Sequence, residues 1–267
     1  MKCKICGSEN TKNLFVKPDK TGLAKCLDCG VFFTEPKPEE SLIKSFYNNS
    51  DYFNHWFKYK NVKLNTDMNR FEGILKFVSK PEKLLDFGCG PGFFLNIAKS
   101  KCGEVYGIEY SDFAIDYAKK ELNLNIEKFC GFPLRFKDNY FDVITIWHAL
   151  EHLENPKEII DEFRRILKPN GLLVIEIPNV HGLLSIIRGK KALPLIEHLF
   201  HFNAGGLSTL LNNSGFKILS ITPGKPGYTR TGIKILIKKA LAALGYFIYK
   251  ISGLNYGDAI LAYCEKK

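Results

Sequence analysis

The chain has 267 residues, of which 45% are hydrophobic and 25% are charged. This composition excludes a disordered or fibrous protein, and the length suffices for one full α/β domain with small additions at its ends. The formal charge of +10 favours anionic partners, such as RNA, lipid headgroups or acidic small molecules, without selecting one of them.

The first 30 residues contain two near-copies of one motif, Cys3-Lys4-Ile5-Cys6-Gly7 and Cys26-Leu27-Asp28-Cys29-Gly30. Two residues between the cysteines let both thiolates reach one ion, and the glycine after each pair permits a tight turn. The spacing predicts a zinc ribbon over residues 1–35, with four unrelated thiols as the alternative. Because protein thiolates fill all four positions, the zinc is expected to be structural; its ligands are Cys3, Cys6, Cys26 and Cys29.

The N-terminus carries positive charges without an apolar signal region behind them. No stretch of about 18 uninterrupted apolar residues occurs that would predict a membrane span. We therefore expect a cytoplasmic protein with reduced cysteines.

Residues 36–80 follow the ribbon and are expected to form a helical cap or linker. Prolines punctuate residues 34–38, a helix start is predicted near Pro38, and residues 41–78 have a mostly helical pattern. The first half of this stretch is rich in aromatic residues, which either pack in the core or the cap or cover a ligand. These residues are Phe46, Tyr47, Tyr52, Phe53, Trp56, Phe57 and Tyr59.

From Pro81 to the end, short apolar strand patterns alternate with helical patterns. The predicted strands are 83–87, 104–109, 125–129, 141–147, 171–178, 216–222 and 258–264. The predicted helices are 92–101, 113–122, 157–167 and 205–213. The pattern is typical of an α/β protein with a Rossmann-like, mostly parallel sheet covered by helices on both faces.

The first predicted strand of this region runs into a glycine loop, Asp86-Phe87-Gly88-Cys89-Gly90-Pro91-Gly92. Glycines there let backbone amides approach a ligand where any Cβ would collide, and Asp86 can orient the loop or bond a ligand amine. The second strand ends at Glu109, whose carboxylate is placed to accept the hydroxyls of a ribose. These features predict a nucleoside-containing ligand.

A dinucleotide is disfavoured, because Phe93 occupies the place of the third glycine of a nicotinamide-binding loop. A carboxylate at Asp86 would also repel a pyrophosphate.

At this point the chain resembles the class I S-adenosylmethionine (SAM)-dependent methyltransferases over roughly residues 81–263. Residues 86–92 are similar to that family's motif I, Glu109 to its ribose-binding acid, and residues 141–144 to the start of its fourth strand. Residues 147–156 and 167–173 resemble its post-strand loop and its turn into the fifth strand. The resemblance implies SAM as the cofactor and a final antiparallel hairpin. The implied cofactor-binding residues are Asp86, Gly88, Cys89, Gly90, Gly92, Glu109, Tyr110 and Trp147.

The chain departs from the family near the adenine. Where relatives often carry an acidic residue that contacts the adenine amine, this chain has Phe129-Cys130-Gly131-Phe132. Backbone groups or Phe132 are therefore expected to make that contact.

Methyl transfer requires an aligned acceptor and, for some acceptors, a base, for which histidine suits neutral pH. Four candidates occur in two clusters: His148 and His152, which is also placed to tether the following helix, and His198 and His201. Glu197-His198-Leu199 resembles a segment of zinc-ribbon-bearing sugar C-methyltransferases, in which the Glu/His pair is implicated in proton abstraction. Those enzymes have a tyrosine where this chain has Leu195. The catalytic candidates are His198, Glu197 and His148.

Residues 228–252 form a basic segment without any acidic residue. Its apolar face consists of residues at helical spacing, which are Ile233, Leu236, Ile237, Leu241, Leu244, Ile248 and Ile251. The segment is expected to be an amphipathic helical insertion between the last two strands. It either packs on the core with solvated lysines or touches an anionic membrane.

The expected function is SAM-dependent methylation of a small-molecule, sugar or lipid-linked saccharide acceptor. One alternative is an rRNA or tRNA methyltransferase, although the acidic residues Asp28, Glu35, Glu39 and Glu40 in and after the ribbon disfavour nucleic acid. The alternative outside the enzymes is a zinc-ribbon interaction module on a degenerate methyltransferase fold.

Overall fold

The computed structural model describes residues 1–39, 57, 60–224 and 233–267. Apart from Phe57, the predicted aromatic run lies outside the described residues, and so does the beginning of the basic segment.

The described strands form two separate sheets. They are β1 (Thr11–Val16), β2 (Gly22–Cys26), β3 (Phe32–Thr34), β4 (Lys83–Phe87), β5 (Glu104–Glu109), β6 (Asn125–Lys128), β7 (Phe141–Trp147), β8 (Leu167–Pro178), β9 (Phe200–His201), β10 (Phe216–Pro223) and β11 (Ala259–Lys266). The described α-helices are α1 (Lys60–Leu75), α2 (Phe93–Ala98), α3 (Asp112–Leu122), α4 (Pro156–Ile166), α5 (Leu183–Arg188), α6 (Ala204–Asn213) and α7 (Ile233–Ser252). Two short 3₁₀ turns cover Leu150–His152 and Lys190–Ala192.

The large sheet has the order β10-β11-β8-β7-β4-β5-β6, in which the strands from β8 to β6 are parallel and β11 is antiparallel to both neighbours. The predicted α/β, Rossmann-like fold is therefore confirmed, including the antiparallel hairpin at the end. Strands β5 and β6 follow β4 toward one edge of the sheet, whereas the next strand in the chain, β7, lies on the other side of β4. The strand order reverses between β4 and β7, which is the position where open parallel sheets bind ligands.

Apolar side chains cover both faces of this sheet, as a buried parallel sheet requires. Leu84 packs in one cluster with Phe71 of α1 and Phe94 of α2, whereas its neighbour Leu85 packs in the other cluster with Phe163 of α4. Helix α1 therefore packs against one face of the large sheet.

The small sheet has the order β1-β2-β3-β9, with all neighbours antiparallel. The first cysteine motif precedes β1, and the second begins at Cys26, the last residue of β2. Its fourth strand, β9, comes from more than 160 residues further along the chain and pairs Phe200 with Phe33 and His201 with Phe32. The ribbon and the methyltransferase-like region are therefore joined by main-chain hydrogen bonds.

Neither β9 nor α5 was predicted, because both are short and the stretch from 179 to 203 has no clear apolar period. Strand β8 begins at Leu167, four residues before the predicted start, since Leu167 already pairs with Phe141. Within the described ranges, no helix is long and apolar enough to cross a membrane.

Candidate functional site

The glycine loop after β4 adopts a backbone that side chains disfavour. Gly88, Gly90 and Gly92 have φ values of 72°, 54° and 82°, in the left-handed region. A Cβ on Gly88 would lie 2.6 Å from the Cβ of Ala149, which follows β7. The loop therefore sits directly against the β7 loop, at the reversal of strand order.

The Glu109 carboxylate is buried under this loop. Its Oε2 accepts a hydrogen bond from the amide of Gly90 (2.8 Å), and its Oε1 accepts from the amides of Tyr110 (2.7 Å) and Ser111 (2.9 Å). Burial raises the pKa of Glu109, and the three amides oppose that shift. Since a carboxylate offers about four lone-pair directions, Oε2 keeps one for a ligand hydroxyl.

Asp86 lies behind the loop and is 1% exposed. Its Oδ1 accepts a hydrogen bond from the Thr145 hydroxyl of β7, at 2.7 Å. Burial raises the pKa of Asp86 to about 8, against the opposing effect of Thr145. This contact ties β4 to β7 and fixes the start of the loop.

The other side chains predicted to contact the cofactor differ in exposure: Cys89 and Trp147 are buried, whereas Tyr110 is exposed. The Cys89 side chain is buried beside Leu95, and a Cβ on Gly107 would collide with its sulfur. The thiol donates to the carbonyl of Gly90 at 3.7 Å, so the side chain supports the loop from inside the core. Tyr110 is exposed at the mouth of the site. Trp147 is buried, with its ring 5.2 Å from that of Phe94.

A buried ion-pair network lies at the end of β8. The sequence analysis did not predict it. Arg70 of α1 binds Glu176 through two nitrogens, at 3.0 and 3.3 Å, and Asp67 through a third, at 2.9 Å. Its guanidinium also lies 4.5 Å from the ring centre of Trp147. Although burial alone would raise the pKa of Glu176, Arg70 and His148 lower it to about 2. No sequence signal pairs Arg70 with Glu176, because they are 106 positions apart.

His148 continues this network into the β7 loop. Its φ of 51° is unusual for a residue with a side chain, and such strain is concentrated at functional sites. Its Nε2 lies 3.0 Å from Oε1 of Glu176, and its Nδ1 lies 3.8 Å from Oε1 of Glu151.

The two predicted histidine clusters meet in space. The His152 ring lies 4.7 Å from the His198 ring, and the His198 ring lies 5.9 Å from that of His201. His152 Nδ1 contacts the backbone oxygen of Glu197 at 2.6 Å, so its tether runs to the 195–202 segment rather than to α4. Burial, reinforced by the neighbouring imidazoles, lowers the pKa of His198 to about 2. Burial lowers the pKa of His201 in the same way, to about 3.

The ribbon holds the 195–202 segment in place. The Thr34 amide donates to the carbonyl of Leu199 at 2.9 Å, and the Thr34 hydroxyl donates to the carbonyl of His198 at 2.8 Å. Leu195, which stands where sugar C-methyltransferases have tyrosine, is buried against Leu23 and Phe32 of the ribbon. Its side chain therefore anchors the ribbon.

The four predicted metal ligands form one cluster, in which all sulfur atoms lie within 4.8 Å of one another. The sulfurs of Cys3 and Cys29 are 3.7 Å apart, and those of Cys6 and Cys26 are 3.5 Å apart. Tetrahedral zinc with bonds of about 2.3 Å places its sulfurs about 3.8 Å apart, so the cluster fits this ion.

The fold and the loop geometry together define a class I SAM-dependent methyltransferase domain. In agreement, residues 61–221 match the model of a methyltransferase domain family, and the chain belongs to that family.

Sequence relatives match parts of the chain. An uncharacterized methyltransferase of Schizosaccharomyces pombe is 37% identical over 113 residues, which are 37% of this chain and 40% of the relative. An uncharacterized protein of Methanocaldococcus jannaschii is 32% identical over 153 residues, 55% of this chain and 65% of the relative. The ubiquinone biosynthesis O-methyltransferase of Pasteurella multocida is 32% identical over 113 residues, 37% of this chain and 47% of the relative. The chain thus spans less than two thirds of the length of these relatives.

Solved structures agree on the fold. A SAM-dependent methyltransferase from Thermotoga maritima superposes with a TM-score of 0.59 at 17% identity, over 85% of this chain and all of the other. One from Archaeoglobus fulgidus gives 0.56 at 22% identity, over 80% of this chain and 99% of the other.

Proposed function

We propose that this protein transfers a methyl group from SAM to a small-molecule acceptor that binds between the glycine loop and the histidine cluster. The observation that carries the proposal is the meeting of three parts at the reversal of strand order: the glycine loop, the Glu109 carboxylate and the β7 loop. The intact loop and carboxylate disfavour a degenerate fold that has lost its cofactor.

SAM supplies an electrophilic methyl group on a sulfonium. In our proposal Gly88, Gly90 and Gly92 present backbone to it and Glu109 accepts from its ribose. Tyr110 and Trp147 flank it, and Asp86 fixes the loop. The ribbon is proposed to hold a structural zinc ion, on which the position of the 195–202 segment depends.

We place deprotonation of the acceptor at the histidine cluster, with Glu197, His198 and His148 as the predicted participants. The low pKa of His198 makes its imidazole a weak base by itself, because a good general base titrates near the working pH. This favours a role in which His198 acts together with a neighbouring group.

A lipid-linked acceptor, such as a saccharide precursor, is the class that we favour. Helix α7 leaves a row of large apolar side chains in solvent, which are Leu236, Ile237, Leu244, Phe247 and Ile251. Four of these five belong to the apolar face that was predicted to pack on the core or touch a membrane, and Lys238, Lys239 and Lys250 accompany them. The relative named for ubiquinone biosynthesis, and a Staphylococcus aureus relative named demethylmenaquinone methyltransferase that is 34% identical over 105 residues, also support a lipophilic acceptor. Such a protein would work in the cytoplasm, at the membrane surface.

The test is to incubate the protein with isotope-labelled SAM and separate aqueous and lipid extracts, then identify the labelled product by mass spectrometry. We expect a labelled small molecule or lipid-linked saccharide, and none with the Gly88→Val variant. Label in RNA, with an affinity that falls steeply with salt, would instead favour the rRNA or tRNA methyltransferase. Failure of calorimetry to detect SAM binding would contradict the proposal.

A further inference from the structure

A second group of metal-ligand side chains lies outside the cysteine cluster. Glu151, His152 and His198 each offer one ligand atom, and these three atoms lie within 4.8 Å of one another. Residues 151 and 152 belong to the β7 loop, whereas His198 belongs to the segment that the ribbon holds. The group exists only because the tertiary structure joins these two segments.

Glu151 is the unusual member of the group. It is 1% exposed, and neither of its carboxylate oxygens has a hydrogen-bond partner among the described residues. Moving a carboxylate from water into the protein interior without a partner costs roughly several kcal/mol of free energy. Buried carboxylates in proteins are therefore normally paired with a cation or bound to a metal ion. Glu151 instead has imidazole nitrogens of His148 and His152 at 3.8 Å, which is too far for a hydrogen bond.

The histidine beside it is oriented for a metal. A carbonyl oxygen can only accept, so the 2.6 Å contact to Glu197 makes Nδ1 of His152 the donor. In the neutral ring, the lone pair is then on Nε2, which lies 3.8 Å from Oε1 of Glu151. A backbone carbonyl that fixes the tautomer in this way is the usual support of a metal-bound histidine.

His148 approaches the same carboxylate from the side of the glycine loop. Its Nε2 lies 3.0 Å from Oε1 of Glu176, and its Nδ1 lies 3.8 Å from Oε1 of Glu151. Nitrogens of two imidazoles therefore converge on one carboxylate oxygen.

We propose that Glu151, His152 and His198 bind one divalent transition-metal ion, separate from the zinc of the ribbon. Ligand atoms about 2.0–2.2 Å from an ion lie roughly 3.0–3.6 Å from each other. The 3.8 Å between His152 and Glu151 is close to this range, and the ligand atom of His198, within 4.8 Å of both, has to move closer when the ion binds. Two imidazoles and one carboxylate suit Zn²⁺, Fe²⁺, Co²⁺ or Mn²⁺ better than Mg²⁺ or Ca²⁺, which prefer oxygen.

Three protein ligands leave at least one coordination position open, as in catalytic rather than structural sites. This part of the inference rests on the proposed function: the open position takes a hydroxyl oxygen of the acceptor. A metal ion lowers the pKa of such a hydroxyl, which then loses its proton to water. The oxygen forms a bond to the methyl carbon with its own electron pair, while the carbon–sulfur bond breaks and sulfur keeps that pair.

The experiment uses protein loaded with a single equivalent of Zn²⁺, which the four thiolates bind in preference to the site with open positions, and titrates it with Co²⁺ in buffer without other metals. We expect one further equivalent to bind and to give visible d–d absorption without the near-ultraviolet thiolate-to-cobalt bands. Glu151→Gln and His198→Gln should each weaken cobalt binding by about 100-fold or more. His181→Gln is the matched control, because His181 is an exposed histidine outside this group, and it should bind cobalt like the wild type.

Circular dichroism and the thermal unfolding transition show whether each variant is folded, and His198→Gln replaces Glu151→Gln if the latter does not fold. Absence of cobalt binding in folded wild type, or equal binding by wild type and both variants, would overturn the inference. So would cobalt that enters only with thiolate bands, by displacing zinc.

The two proposals fail separately. If cobalt binds but neither SAM binding nor methyl transfer is found, the proposed function is wrong and the metal site stands. If Glu151→Gln and His198→Gln transfer labelled methyl at the wild-type rate, the metal has no part in the reaction.

Discussion

Arg70 is the residue on which the buried charges behind the site depend. Its guanidinium is the cation that binds both Glu176 and Asp67 in the network described above. Arg70→Met takes the guanidinium away from two buried carboxylates, so we expect a loss of about 3–5 kcal/mol in the free energy of unfolding. Urea denaturation measures this loss.

A double variant provides the control. Arg70→Met combined with Glu176→Gln removes one of the stranded charges and should recover part of the lost stability. A single variant within about 1 kcal/mol of wild type would show that solvent reaches these carboxylates in the folded protein.

Asp86 gives the folded protein a pH dependence of known sign. Its pKa is about 8 in the folded protein and near its ordinary value of 3.8 in the unfolded chain, so the folded state holds the proton more tightly. The stability that this proton contributes is complete below pH 3.8 and is lost as the pH rises to about 8. Against Asp86→Asn, which keeps the Thr145 contact without titrating, wild type should therefore lose stability between about pH 5 and 8. The slope is at most about 1.4 kcal/mol per pH unit.

Denaturation at several pH values without SAM measures this difference. Parallel pH profiles for the two proteins would mean that the Asp86 carboxyl is already ionised at neutral pH.

At the scale of elements, the pairing of β3 with β9 links the ribbon to the histidine segment. Because Phe33 and Phe200 are paired, loss of the ribbon should release residues 198–202 as well as the first 35 residues. We expect a chelator to abolish amide-exchange protection in both stretches and to leave β4 and β5 unchanged. Hydrogen exchange with mass spectrometry can follow all four regions.

Cys29→Ser should reproduce the effect of the chelator without added reagent. Cys130→Ser is the matched control, since Cys130 is exposed and lies outside the cluster. Protection of residues 198–202 that survived chelation would show that β9 holds its position without the ribbon.

At the scale of the whole molecule, α7 and the positive charge predict binding to anionic membranes. Phe247 is 60% exposed and Ile251 is 70% exposed, one turn apart on the same face. Inserting one such side chain into a bilayer contributes roughly 1.5–3 kcal/mol, so replacing both by serine should weaken binding to anionic vesicles by tenfold or more.

Co-sedimentation with vesicles of phosphatidylserine and phosphatidylcholine measures the effect. Lys239→Gln with Lys250→Gln should weaken binding at low salt and matter little at high salt. Equal binding to neutral and anionic vesicles would show that the lysines of α7 do not contribute to membrane binding.

Most of the large sheet was predictable because each of its strands carries its own local signal. The predicted strands 83–87, 104–109 and 141–147 coincide with β4, β5 and β7, since buried parallel strands are continuous apolar runs between helices with clear caps. The glycine loop and the cysteine pairs were equally visible, because their geometry depends on residues next to each other in the chain.

The sequence by itself thus determined the α/β fold, the cofactor loop and the ribbon's cysteine spacing, all of which arise from short-range constraints on backbone and side chains. Only the tertiary structure decided that Arg70 pairs with Glu176, that β9 completes the ribbon sheet, and that Glu151, His152 and His198 share one site. Those contacts join segments 46 to 169 positions apart, for example His152 with His198 and Phe32 with His201. Nothing local encodes such a contact, because it forms only when sheet order and ribbon docking bring the two segments together.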